Sequence, residues 1–269
     1  MIMSKTILIT GATDGIGLET AKLLVEQGHN VVLHGRSPDK LDAVEKTLRA
    51  MNGGGEISRY VADLSRLADV RRMADEIAAD FRQLDVLINN AGVLKTAHTR
   101  TEDGFDVRFM VNTIAPYLLT QRLLPIIPLD GRVVNLSSAA QAPVSIAALQ
   151  GKEQLDDMAA YAQSKLAITM WTREFASRYG ASGVVFSAVN PGSLLASKMV
   201  KEGFGVAGND LSIGADILVR AALSEEFSNM SGRYYDNDNH RFAPPQADGL
   251  NDTKMRAIVE AIEGILDSH

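Results

Sequence analysis

The amino-acid sequence predicts an α/β fold, a parallel, doubly wound sheet with helices on both faces. Short β-branched runs alternate with longer stretches of helical period, and the runs are apolar throughout, as strands covered on both sides are. The 269 residues suit one large α/β unit, and no repeat, low-complexity tract or linker divides them. Residues 1–269 are therefore expected to form a single domain.

In chain order, the expected strands are 6–10, 30–34, 57–61, 85–88, 132–136 and 183–189. The first helix is expected over 16–27, where apolar residues recur at 18, 21, 24 and 25 and Gly28 stops the run. The second, over 38–51, starts with Pro38 behind Ser37 and ends before Gly53-Gly54-Gly55. Helices are expected also over 67–81, 105–124 and 159–179. Pro116 lies inside 105–124 and lacks an N–H, so a kink and a freed Asn112 carbonyl are expected there. Segments 139–157 and 192–212 are read as long connections leaving the carboxyl ends of strands, where an open α/β sheet binds its ligands.

Composition excludes several functions. The chain has no Cys, which removes disulfides, thiol catalysis and Cys-ligated metals. A net charge of -6 with scattered basic residues leaves no patch for nucleic acid. No apolar run approaches the ~20 residues of a membrane span, and no signal-peptide core is evident, so a cytoplasmic location is expected. His29, His34, His98, His240 and His269 have no metal-ligand spacing and are read as surface or structural; no metal site is expected.

The first strand runs into Thr10-Gly11-Ala12-Thr13-Asp14-Gly15-Ile16-Gly17 and then directly into a helix. Such a turn brings backbone N–H groups and a helix N-terminus against a pyrophosphate, the phosphate-binding device of a Rossmann-type sheet. At the end of the second strand, where an NAD binder carries a carboxylate, the sequence has Gly35-Arg36-Ser37 and no acid between Glu26 and Asp39. Arg36 can pair with a 2′-phosphate, so NADP (NADPH) is favoured and NAD is less expected; a solvated loop arginine is the plain alternative. Tyr161 and Lys165 stand four apart on an expected helix and so share one face.

These elements, together with Asn89-Asn90-Ala91-Gly92, Asn112, Leu136-Ser137-Ser138 and Asn190-Pro191-Gly192, resemble the short-chain dehydrogenase/reductase family in order and in strand-end position, over roughly residues 4–235. The gap of 23 residues between Ser138 and Tyr161 and the string Tyr161-Ala162-Gln163-Ser164-Lys165-Leu166-Ala167 look most like its retinol-dehydrogenase-like branch. The resemblance implies Asn112, Ser138, Tyr161 and Lys165 as the catalytic set. It implies cofactor contacts from Gly11, Thr13, Asp14, Gly15, Ile16 and Gly17, from Arg36, Asp63 and Leu64, from Asn90, Ala91 and Gly92, and from Pro191, Gly192 and Leu194. A Thr of the family that secures the nicotinamide carboxamide has Ser197 in its region here.

The implied activity is an NADP(H)-dependent oxidoreductase interconverting a carbonyl and an alcohol, with Tyr161 as acid or base, Ser138 as hydrogen-bond donor, and Lys165 together with the oxidised nicotinamide lowering the phenol pKa. Asn112 is implied to hold a water that links Lys165 to solvent. Leu194, Leu195, Met199, Val200, Phe204, Val206 and Leu211, with glycines among them, suit an apolar lid and a hydrophobic small-molecule substrate; an ordinary packed loop is the alternative. An NADP(H)-binding sensor or scaffold without turnover is the second reading, which the intact Ser138, Tyr161 and Lys165 disfavour. Helices 105–124 and 159–179 resemble the pair through which family members form homodimers or homotetramers, a surface that 139–157 could cover.

Overall fold

The structure, a computed structural model, describes residues 4–205 and 207–269, with the side chains of Val200, Glu202 and Phe204 left out of the description. Eight strands form one sheet in the order β3-β2-β1-β4-β5-β6-β7-β8. These are β1 (Thr6–Ile9), β2 (Asn30–Gly35), β3 (Ile57–Val61), β4 (Val86–Asn89), β5 (Arg132–Leu136), β6 (Val185–Asn190), β7 (Arg233–Asp236) and β8 (Arg241–Ala243). All neighbours are parallel except β7 and β8, which form an antiparallel hairpin. Side-chain alternation splits the core. Leu8, Val32, Leu87, Val133 and Phe186 face one layer, while Ile7, Ile9, Val31, Leu33, Val86, Ile88 and Val134 face the other.

The helices follow chain order: α1 (Gly15–Glu26), α2 (Pro38–Arg49), α3 (Leu67–Asp80), α4 (Val107–Phe109), α5 (Ala115–Leu123), α6 (Ile146–Leu149), α7 (Asp157–Tyr179), α8 (Lys198–Phe204), α9 (Leu211–Leu223) and α10 (Asp252–Ser268). One face carries α1, α2 and α9; the other carries α3, α5 and α7, with α10 packed outside α7. Local chemistry sets the ends. The Asp14 carboxylate accepts from Gly15 N at 2.7 Å to open α1, and Ser37 caps α2 with Pro38 in its first turn.

Two sequence expectations need correction. The connections 139–157 and 192–212 are not featureless, because α6 and α8 lie within them. The expected helix 105–124 is interrupted by a π turn over Met110–Ile114, in which Ala115 N–H reaches the Met110 carbonyl, so the break ahead of Pro116 is a wide turn within a continuing helix. The α5–α7 face is covered by α10 as well as by 139–157: Ala142 N–H donates to the Ala162 carbonyl and Ser145 N–H to Gln163 Oε1 on α7, while Glu263 of α10 accepts from Tyr117 Oη at 2.7 Å and pairs with Arg178 at 2.5 Å.

Candidate active site

The sheet order reverses direction between β1 and β4, and a cavity of about 420 Å³ opens at that switch point beyond the carboxyl ends of the strands. Its floor is the glycine turn. Gly11 has φ +66°, a left-handed conformation that disfavours a side chain, and a Cβ there would lie 3.0 Å from the Ala91 backbone. Gly17 does not line the cavity. It lies behind it, where an added Cβ would come within 2.4 Å of the Gly11 carbonyl and 2.5 Å of Asn90 Nδ2, so its role is close packing. Asn90 Nδ2 donates to the carbonyls of Thr10 and Gly11 at 2.9 and 3.1 Å, and Ala91 N–H donates to Thr10 Oγ1 at 3.1 Å, tying the turn to the β4 exit.

Of the expected cofactor residues, Gly11, Thr13, Asp14, Gly15, Ile16, Arg36, Asp63, Leu64, Asn90, Ala91, Gly92, Tyr161, Lys165 and Pro191 line this cavity. Gly192 and Leu194 are not among its lining residues, and Leu194 is 45 % exposed. The chain turns there, with Gly192 at φ +124° and Leu194 at φ +52°. Ser197 does line it.

Lys40 and His34 are among the contributors that the sequence did not reveal. Lys40, in the first turn of α2, lines the cavity beside Arg36, and the signal for it was one helical turn past Ser37. His34, 2 % exposed, also lines it: its Nδ1 accepts from Gly11 N–H at 3.1 Å, which leaves the proton on Nε2 to donate to the Ala62 carbonyl at 3.1 Å. Burial pushes this imidazole down to about 4, so it is neutral and bridges the glycine turn to the segment after β3. In a chain of net charge -6 the cavity gathers Arg36, Lys40, Lys95, Lys165 and Lys198 against Asp14 and Asp63, which suits a polyanionic ligand.

At the other end of the cavity, α7 presents Tyr161 and Lys165 one turn apart, as their spacing requires. Lys165, 3 % exposed, donates from Nζ to the Leu136 carbonyl at 2.8 Å and lies 5.6 Å from the Tyr161 ring centroid. Burial lowers its ammonium to about 8. Burial also pushes the Tyr161 phenol up, opposed by its hydrogen bond with Ser138. In the polypeptide without its dinucleotide desolvation wins, and the group that opposes it is Ser138. Ser137, the other serine of the pair, is buried and bonded to the Lys165 carbonyl and Thr169, so it supports the helix.

Asn112 sits inside the π turn, 1 % exposed, and does not line the cavity. Its side chain is fully used: Oδ1 accepts from Val93 N–H at 2.8 Å, while Nδ2 donates to the Val93 carbonyl and to Ser164 Oγ, each at 3.0 Å. These bonds clamp the segment after Gly92 onto α7, and Arg108, one turn earlier, pairs with Asp157 at the start of the same helix. The apolar part of the cavity is Val93, Leu94, Val111, Leu136 and Met199. Of the other residues expected in the lid, Leu195 is buried, Val206 lies outside the described residues, and so do the side chains of Val200 and Phe204.

A glycine turn lies under a basic cavity, Tyr161 and Lys165 line its far end, and Ser138, which does not line it, bonds to Tyr161. The family model of short chain dehydrogenase matches residues 5–205. The chain is a short-chain dehydrogenase. It is 32% identical to retinol dehydrogenase 13 of Homo sapiens over 275 residues, covering 92% of this chain and 80% of the relative, in keeping with the retinol-dehydrogenase-like branch. An uncharacterized protein from Mycobacterium Paratuberculosis superposes with a TM-score of 0.79 at 28% identity, over 97% of this chain and 92% of the other. The landomycin C-6 ketoreductase LanV, solved with bound NADP and rabelomycin, superposes with a TM-score of 0.70 at 27% identity, over 88% of this chain and 95% of that one. This short-chain dehydrogenase is thus an oxidoreductase acting on alcohol or carbonyl groups. Among its described residues no helix is long and apolar enough to cross a membrane.

Proposed function

We propose that this short-chain dehydrogenase uses NADP(H) to interconvert a carbonyl and an alcohol on a hydrophobic small molecule, with Tyr161 as the proton donor and acceptor. The observation that carries this reading is the cavity's polarity. Its β2 end holds Arg36 and Lys40, with no carboxylate at the end of β2, which suits a 2′-phosphate, and its lining also includes the apolar Val93, Leu94, Val111, Leu136 and Met199. The NADP complex of LanV supports the same choice. The glycine turn and the N-terminus of α1 suit the pyrophosphate, and Lys165 suits a ribose hydroxyl. When bound, the dinucleotide supplies or accepts the hydride.

The protein's own groups hold and move the proton. A phenol pushed up by burial is protonated at neutral pH and can donate to a carbonyl oxygen as negative charge develops on it. In this reading Ser138, the hydrogen-bond partner of Tyr161, donates a second hydrogen bond to that oxygen. Lys165, still cationic below about pH 8, stabilises the phenolate left behind. Asn112 holds the Val93 segment against α7 and so shapes the apolar wall. Consumption of NADPH across a panel of apolar ketones and aldehydes tests the reading. Tyr161→Phe is expected to lose nearly all turnover while NADPH affinity, measured by fluorescence titration, stays close to that of the wild type. Turnover retained at more than a small fraction would remove Tyr161 from the role, and binding without turnover in the wild type would favour a sensor.

A further inference from the structure

The β7–β8 hairpin lies beyond the residues that the family model matches, yet it reaches both sides of the reacting centre. Tyr234, 6 % exposed on β7, donates from its hydroxyl to the Ser138 carbonyl at 3.1 Å. Gln141 Nε2 donates to the same carbonyl at 2.9 Å, and Gln141 Oε1 accepts from Gln246 N–H at 3.0 Å. On the other side, Asn237 Nδ2 donates to the Pro191 carbonyl at 2.9 Å, and the Asp238 carboxylate accepts from Ser193 N–H at 2.7 Å, Ser193 Oγ at 2.6 Å and Asn190 Nδ2 at 2.9 Å. The hairpin thus grips the segment after β5 and the segment after β6 together.

We propose that Tyr234 is a positioning residue that aims the Ser138 hydroxyl at Tyr161, and that Asp238 in the same hairpin holds the 190–193 wall, so that one element sets both sides of the site. The inference rests on the proposed role of Tyr161. Its logic is one of remaining valences. The Ser138 hydroxyl already accepts from Ala140 N–H at 3.1 Å, so its direction depends on the backbone at 138–140. That backbone is held by the two donors on the Ser138 carbonyl. Burial, with Asp236 and Asp238 nearby, pushes the Tyr234 phenol up, so it stays a donor across the working pH range; Gln141 opposes this. Loss of that donor lets Ser138 turn. The Ser138 hydrogen bond is what restrains the Tyr161 phenol from rising further, so the phenol responds to Tyr234.

The test uses the full chain. Ultraviolet titration of the phenols, with Tyr161→Phe as the difference reference, reads Tyr161 ionisation without any need for turnover; Lys165 is the cation facing that phenol in both forms. Tyr234→Phe is expected to move the Tyr161 midpoint to higher pH, to lower kcat roughly two- to tenfold, the worth of one neutral hydrogen bond, and to leave NADPH affinity unchanged. Asp238→Asn is expected to do the opposite, weakening NADPH binding several-fold with the Tyr161 midpoint unmoved. A Tyr161 midpoint identical in wild type and Tyr234→Phe overturns the inference whatever the kinetics, as does an equal loss of kcat and NADPH affinity in both variants. A wild type with no turnover but a shifted midpoint overturns the proposed activity and leaves the positioning role standing.

Discussion

Arg36 and Lys40 line the cavity at the β2 end, on the opposite side of the switch point from Tyr161. A charge-assisted hydrogen bond is worth about 1.5–3 kcal/mol, so NADPH is expected to bind roughly ten- to hundredfold more tightly than NADH. Arg36→Ala should remove most of that ratio, and Lys40→Ala part of it, when both cofactors are titrated against each variant. Equal affinities in the wild type would leave both side chains as solvated surface. His34 answers to pH. Its folded-state value of about 4 lies below the 6.5 of an unfolded histidine, so the unfolded chain takes up a proton first as pH falls. The neutral bridge between Gly11 and Ala62 therefore costs nothing above pH 6.5 and loses the fold roughly 3 kcal/mol between there and pH 4. Denaturant unfolding against pH is expected to show that slope, and His34→Gln to lack it; a slope shared by both would assign it to carboxylates.

At the scale of one element, the π turn over Met110–Ile114 has two candidate causes, the missing N–H of Pro116 and the side-chain ladder onto α7. Restoring one backbone hydrogen bond is worth about 0.5–1.5 kcal/mol. Against it stand three bonds of the buried Asn112 side chain and the bond from Thr113 Oγ1 to the Ser164 carbonyl at 2.9 Å. The ladder wins. Pro116→Ala is therefore expected to keep the wide turn and most of the activity, whereas Asn112→Ala should release it and lower turnover. A crystal structure of Pro116→Ala showing unbroken α-helix would reverse that order. The proline was visible in the sequence and the ladder was not, since its partners at 93 and 164 lie 19 and 52 residues from Asn112.

For the molecule as a whole, α10 closes the outer layer by covering α5 and α7. Tyr117, 1 % exposed, has its hydroxyl on Glu263, and Arg71 Nη2 donates to the Leu266 carbonyl at 2.8 Å. Glu263→Ala leaves a buried phenol without its acceptor, a loss of about 1–3 kcal/mol. The expected result is a lower Tm, about 2–4 °C for each kcal/mol in a chain of this size, with catalysis little changed at 25 °C. An unaltered Tm would mean that α10 is held by its apolar face alone.

What the amino-acid order determined by itself is everything with a short period or a local turn: six of the seven parallel strands within one or two residues, the alternation that stacks helices on both faces, the glycine turn, the start of α2 at Ser37-Pro38, and the shared face of Tyr161 and Lys165. Each of these follows from neighbours a few residues apart, whose backbone preferences and side-chain directions need no distant partner. Tertiary structure alone decided the rest. The β7–β8 hairpin is short and only partly apolar, so its pairing with β6 and its grip on Ser138 and Ser193 come from contacts 45 and more residues away in the chain. The balance on the Tyr161 phenol was likewise invisible in the sequence, because burial is a property of the assembled layers: desolvation in the packed site pushes the phenol up, and Ser138 opposes it.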